Sequence, residues 1–169
     1  MVTTELILTK LPPYRDEWKL INPHQYVPDI IEEICAAHAL YGCYYDLFSA
    51  AFYTTNAKVL CDELYRFCKR NIKYQEESVD RQTTALPTGI LSRGHGDCKH
   101  YALFNAGVIA SLNRVFGCNF EWSFMFAGYG DATEPYHVFV NVRDCGEEIW
   151  LDPTPGSGGE PSVLIERFV

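Results

Sequence analysis

The chain has 169 residues, room for one ordinary domain and not comfortably for two. Hydrophobic residues make up 47% of it and charged residues 21%, a composition able to bury a core. A net charge of −8 with no cluster of Lys and Arg excludes nucleic acid as the main partner, and no apolar run approaches the roughly 20 residues of a membrane span.

The N-terminus, MVTTELILTKLPPYRDEW, lacks a basic start followed by a long apolar stretch, so no secretory signal is expected. Pro12, Pro13, Pro23 and Pro28 disfavour a long helix there, and the pattern predicts an extended arm with one short strand at Glu5–Leu8. From Asp29 to about Tyr53 apolar residues recur at helical spacing, with Pro28 suited to the first turn. That helix is apolar nearly all round, which predicts burial or cover by the arm. Thr55 or Asn56 caps a second helix that runs to about Asn71. A polar stretch follows, with a short helix near Pro87–Leu91. Asp97 is a suitable N-cap for a third helix over Cys98–Phe116, and Gly117 ends it.

The remainder reads as strands: Phe120–Ala127, Tyr136–Val142, Glu148–Asp152 and a final one within Ser162–Val169, with PTPGSGGEP as a loop. Helices first and an antiparallel sheet afterwards indicate an α+β domain. Seven cysteines, an odd count, fit free thiols in a reducing compartment, so a cytoplasmic location is expected; export by another route or association with a virion is compatible with the same sequence. Cys35, Cys43, Cys61 and Cys68 fall in predicted helices and are expected to act as small core residues.

Three segments stand out: Gly96-Asp97-Cys98, His137-Val138-Phe139 and Trp150-Leu151-Asp152-Pro153-Thr154. A cysteine at a helix N-terminus meets the positive end of the dipole and free amides, which favour a thiolate and can hold an oxyanion. If the RDCG turn has Asp144 and Cys145 at its tip, His137 lies directly across from Asp152 on one face of a hairpin. Phe139, Asn141, Glu148 and Trp150 share that face, and Val138, Val140, Val142, Ile149 and Leu151 form the core side. An aspartate beside a histidine sets its tautomer and stabilises its charged form, and the imidazole can then serve a thiolate. Taken singly, each residue has a plain structural reading: a space-filling cysteine, a strand histidine, a turn-starting Asp-Pro.

Further along the chain, His95, Cys98, His100 and His137 do not have the spacing of a common zinc site, and no metal or other cofactor is expected. His24 and His38 read as structural. Asp62, Glu63, Glu76, Glu77 and Asp80 read as a solvated acidic face.

These segments, with Asn71-Ile72-Lys73-Tyr74 upstream, Leu91-Ser92-Arg93-Gly94-His95-Gly96-Asp97-Cys98-Lys99-His100-Tyr101-Ala102, and Phe126-Ala127-Gly128-Tyr129, resemble the transglutaminase-like superfamily. The resemblance covers about residues 56 to 156, with 39 residues from Cys98 to His137 and 15 from His137 to Asp152. It implies a papain-like core in which a helix carrying the cysteine packs on an antiparallel sheet carrying the other two. It further implies Cys98 as nucleophile, His137 as general base and Asp152 as orienting acid. The family takes a second oxyanion donor from a side chain upstream of the cysteine, for which Tyr74 and Gln82 are the candidates. Phe139 stands where the family usually has tryptophan, and Trp150 lies closer to Asp152 than is usual there.

The expected domain plan is one unit over 1–169: an arm and helix at 1–55, the core at 56–156, then a loop and strand at 157–169. The expected function is cysteine-dependent acyl transfer on amide or isopeptide bonds of a protein or peptide, hydrolysis rather than cross-linking. The alternative is a non-catalytic binding or assembly module, such as a subunit of a larger particle that docks through residues 1–55.

Overall fold

The structure is a computed structural model of the chain; it describes residues 2–13, 18–21, 27–78, 81–156 and 161–169, with only the backbone at 18–21. His24 and Asp80 lie outside the described residues, as does the middle of the PTPGSGGEP loop.

The arm begins with a short helix rather than a strand: α1 spans Thr4–Leu8. Thr3 caps it by accepting from the Leu6 N–H, Glu5 sits in its first turn, and Ile7 is buried. A strand does follow, β1 at Trp18–Ile21. Helix α2 covers Val27–Tyr45, with Pro28 in its first turn. It stops short of the predicted end near Tyr53, and a separate 3₁₀ turn at Ser49–Phe52 continues the path. Its apolar surface is not covered all round. Ile31, Ile34, Ala37 and Tyr45 are buried, whereas Leu40 is 68% exposed and Cys43 is exposed.

Helix α3 spans Ala57–Asn71 and is capped by the Asn56 side chain, which accepts from the Val59 N–H. The stretch after it is less irregular than its composition suggests. It forms β2 (Lys73–Tyr74), β3 (Gln82–Ala85), α4 (Pro87–Arg93) and β4 (His95–Gly96). β3 pairs antiparallel with β1, and β2 pairs parallel with β4. Helix α5 spans Cys98–Phe116 and ends at Gly117, which takes a left-handed φ of 67°.

Four strands complete the domain: β5 (Glu121–Gly128), β6 (His137–Asp144), β7 (Glu147–Leu151) and β8 (Ser162–Arg167). They form one antiparallel sheet in the order β7-β6-β5-β8. The domain is therefore α+β. Among the described residues no helix is long and apolar enough to cross a membrane.

One face of the sheet, through Phe124, Phe126, Val138, Val140 and Val142, joins α2, α3 and α5 in a single core around Phe104. Phe104 stacks on Phe67 at 5.2 Å and on Phe48 at 5.9 Å. The opposite face is not solvent-facing throughout, because Met125, Ala127 and Phe139 form a second small cluster there.

Close approach of α2 to α5 depends on Gly107, where a Cβ would lie 2.4 Å from the buried Tyr45 ring. Gly107→Ala gains helix propensity of roughly 1 kcal/mol but overpacks a full core. A net loss of about 1–3 kcal/mol is expected in urea unfolding. An unchanged or raised midpoint would mean that the two helices part without cost.

Candidate functional site

Cys98 is the first residue of α5 and is half-buried. Asp97 before it caps the helix: its side chain accepts from the Lys99 N–H and from the backbone of His100, whose ring in turn reaches back to the Asp97 backbone. A histidine thus does the work usually given to Glu or Gln in such a box. Gly96 is needed for it, since a Cβ there would lie 2.7 Å from the His100 Cβ. The cap uses the Lys99 and His100 amides, so the amide left near the sulfur is that of Cys98 itself.

Beneath the cap lies a buried polar cluster. Lys99, 4% exposed, donates from Nζ to Asp97 Oδ2 and to Gln82 Oε1 at 2.8 Å, with Glu77 Oε2 at 3.4 Å. Glu77 also accepts from the Thr83 N–H at 2.6 Å and from the Thr83 hydroxyl. Glu77 therefore does not belong to a solvated acidic face. It clamps the segment before β3 to the start of α5. Glu76, Asp62 and Glu63 are exposed. Burial opposes the Asp97 charge, but the hydrogen bond from His100 and the ammonium of Lys99 hold its carboxyl well below the usual range. Burial likewise opposes the Lys99 charge, and Asp97, Cys98 and Glu77 together raise it.

His137 opens β6 and Asp152 follows directly after β7. His137 Nε2 lies 2.6 Å from Asp152 Oδ2. The expected direct pairing across the hairpin is corrected by the register. Val140 faces Leu151 and Val142 faces Ile149, so Phe139 stands opposite Asp152, and His137 reaches it diagonally. The turn explains the shift. Cys145 and Gly146 form a two-residue loop with φ of 52° and 86°, the both-positive geometry of a type I′ hairpin. The tip is therefore Cys145-Gly146, not Asp144-Cys145. A slip of two residues keeps every side chain on its predicted face.

The imidazole is 7% exposed and sits between aromatic rings, Tyr129 at 5.7 Å and Phe139 at 5.7 Å. Burial works against its charged form, but hydrogen bonds to Asp152 and to the Cys98 thiol outweigh it and raise the His137 pKa to about 9. Nε2 is taken by Asp152. Burial alone would raise the Asp152 carboxyl. Its bonds to His137 and to the Thr154 hydroxyl and N–H carry it below its ordinary value.

Cys98 and His137 line one cleft of about 360 Å³ together with Tyr74 and Gln82. The β2–β4 bridge holds Tyr74 beside Gly96, with Lys73 N–H to Gly94 O at 2.8 Å and Gln75 N–H to Gly96 O at 3.0 Å. Burial, with the negative charges of Cys98, Glu76 and Asp97, raises the Tyr74 phenol and keeps it a hydrogen-bond donor. The Gln82 amide is committed elsewhere: Nε2 donates to the Ser78 carbonyl at 2.9 Å and the Glu77 carbonyl at 3.3 Å, and Oε1 accepts from Lys99. Both upstream candidates line the cleft; the Tyr74 hydroxyl donates to Glu76 Oε1 over a long 3.5 Å, whereas the Gln82 amide is engaged at both its nitrogen and its oxygen.

The histidines around the cysteine have partners within the protein. His95 Nδ1 lies 3.0 Å from the Arg93 carbonyl, and His100 is wholly buried on Asp97 and Thr83. Among the described residues one set lies within ligand reach, Glu77, Asp97 and His100, and the Lys99 ammonium already pairs with its two carboxylates. His38 packs edge-on against Trp122 at 5.0 Å and Phe124 at 5.7 Å, and burial lowers its pKa to about 4.

Comparison with protein-family models, with curated proteins and with solved structures finds no match to this chain.

Proposed function

We propose that this chain is a cysteine-dependent acyl-transfer enzyme acting on amide or isopeptide bonds, with a transglutaminase-like, papain-like core and Cys98, His137 and Asp152 as its triad. The observation that carries this reading is that an imidazole held at 2.6 Å by Asp152 lines the same cleft as Cys98 at the start of α5. In this mechanism the Cys98 sulfur, as thiolate, attacks the amide carbonyl. The Cys98 N–H and the Tyr74 hydroxyl donate to the developing oxyanion. Protonated His137 gives its proton to the departing amine, and the C–N bond breaks to leave a thioester on Cys98. Water then attacks the thioester while His137 accepts its proton; the C–S bond breaks, the thiolate returns to Cys98 and the acid is released. An amine in place of water would give cross-linking. Hydrolysis is the favoured outcome of the two.

The test is alkylation of the native protein with iodoacetamide from pH 5 to 9, with each thiol scored by peptide mapping. All seven cysteines are free. The exposed Cys43 and Cys145 set the rate of an ordinary surface thiol, with Cys145 slowed because hydrogen bonding and charge from Asp144 raise it. Burial pushes the Cys61 thiol up to about 12 and raises Cys68 as well, so both should lag. Cys98 is expected to label first and to keep reacting below pH 7. If it labels no faster than Cys43, the triad does not operate, and the assembly-module reading takes its place.

A further inference from the structure

We infer that the cleft accepts an amide whose acyl side carries a bulky, uncharged apolar side chain, and that helix α2 is the wall that selects it. This rests on the acyl-transfer reading of Cys98. Helix α2 belongs to the N-terminal stretch for which the motifs of the core provide no role. Its residues Val27, Ile30, Ile31 and Ile34 line the same cleft as Cys98 and His137. They fall at i, i+3, i+4 and i+7, a single helical stripe. Further along the helix, Tyr45 meets Gly107 and Phe104 of α5. At its N-terminal end the stripe borders the cleft, and Val27 and Ile30 remain only half-buried.

Phe126 and Val138 line the cleft from the sheet. A cleft of about 360 Å³ between two apolar walls suits a side chain of leucine or phenylalanine size. Its polar end is acidic. Glu76, Glu77 and Asp97 border it, and the Lys99 ammonium there is already paired with the latter two. An anionic side chain would be repelled. The acyl side is assigned because that half stays bonded to sulfur through the thioester and needs the wall beside Cys98. The amine leaves, and 63% exposed Tyr136 marks an open side of the cleft next to His137.

The test uses the full chain and N-benzoyl amino-acid acyloxymethyl ketones bearing Phe, Leu, Gly or Asp side chains. The Cys98 thiolate displaces the carboxylate: a C–S bond forms, the C–O bond breaks, and the carboxylate leaves with the electron pair. Each rate at Cys98 is divided by the iodoacetamide rate at the same sulfur, which separates pocket selection from thiol reactivity. Phe and Leu probes are expected to exceed Gly by about tenfold or more, with Asp below Gly. Ile30→Ser should cut the Phe-to-Gly ratio by roughly fivefold and Ile30→Leu should restore it. Equal rates for Gly, Leu and Phe, or a lead for Asp, would overturn the assignment.

If iodoacetamide finds no advantage at Cys98, the acyl-transfer reading fails on its own. The pocket is then read by ligand-observed NMR with unreactive N-benzoyl-phenylalanine amide and N-benzoyl-glycine amide on Cys98→Ala. Preferential binding of the phenylalanine compound supports the apolar wall, and equal or absent binding overturns it.

Discussion

His137→Ala is expected to remove the lead of Cys98 over the surface thiols below pH 7. A thiol with an ordinary pKa near 8.5 is ionised to only about one part in 300 at pH 6. Without the imidazole, the alkylation rate at pH 6 should therefore fall on the order of 100-fold, while Cys43 serves as an internal control. Asp152→Asn tests the other end of the pair. It removes the charge that raises His137 and leaves at most a neutral amide oxygen as acceptor, so the His137 pKa should fall from about 9 toward its ordinary 6.5. A proton NMR titration of the ring reads that shift directly. An unchanged midpoint in Asp152→Asn would mean that the 2.6 Å contact contributes nothing to the protonation of the ring.

The same pair makes stability depend on pH at both ends. His137 binds its proton more tightly when folded, so its contribution is complete below 6.5 and is lost as the pH rises through about 9. Asp152 is lowered on folding, so its contribution is present above 3.8 and is lost as the pH falls below that. Denaturation of the native protein against Asp152→Asn should show its largest difference near pH 5–6 and a narrowing gap on the alkaline side.

Lys99→Met is expected to destabilise the domain by about 3–5 kcal/mol, because it strips the counter-ion from Asp97 and Glu77 at a position only 4% exposed. Urea unfolding followed by tryptophan fluorescence would measure it. Adding Glu77→Gln should recover part of the loss, since one uncompensated carboxylate is then gone. The coupling has a functional side, because Lys99 follows Cys98 directly and shares its cap. A Lys99→Met protein within about 0.5 kcal/mol of the native one would show that water screens this cluster.

The parts of the fold legible in the sequence are those encoded locally. Asn56 before α3, Asp97 before α5 and Gly117 after it are caps whose geometry depends on a few neighbouring residues. The end of α2 carries no such mark, and the apolar run through Leu47 and Phe48 hides the break into a 3₁₀ turn. The short helix α1 is hidden by the prolines that follow it and by its brief apolar run Leu6-Ile7-Leu8, although Thr3 is an ordinary cap. Cys145 in a left-handed conformation is rare for a residue other than Gly, Asn or Asp, which is why the hairpin tip was misplaced by one position.

At the candidate site, the closeness of His137 to Asp152 was legible in the hairpin pattern, although the register was not. The role of Glu77 was not legible, because its partners Thr83 and Lys99 come from β3 and α5. Nor was the α2 wall of the cleft, because Val27 and Ile30 are more than 60 residues from Cys98.

The two halves of the candidate site differ in how far folding must proceed before each exists. The histidine–aspartate pair closes within one hairpin, across 15 residues and a two-residue turn. The meeting of sulfur and imidazole requires α5 to dock on β6, a contact made only by tertiary packing. Loosening of the sheet from α5 would therefore leave the hairpin and its charge pair intact while separating Cys98 from His137. Heating or mild denaturant should abolish the reactivity proposed for Cys98 before the hairpin melts, so that the rate at one sulfur reports the docking of the two halves.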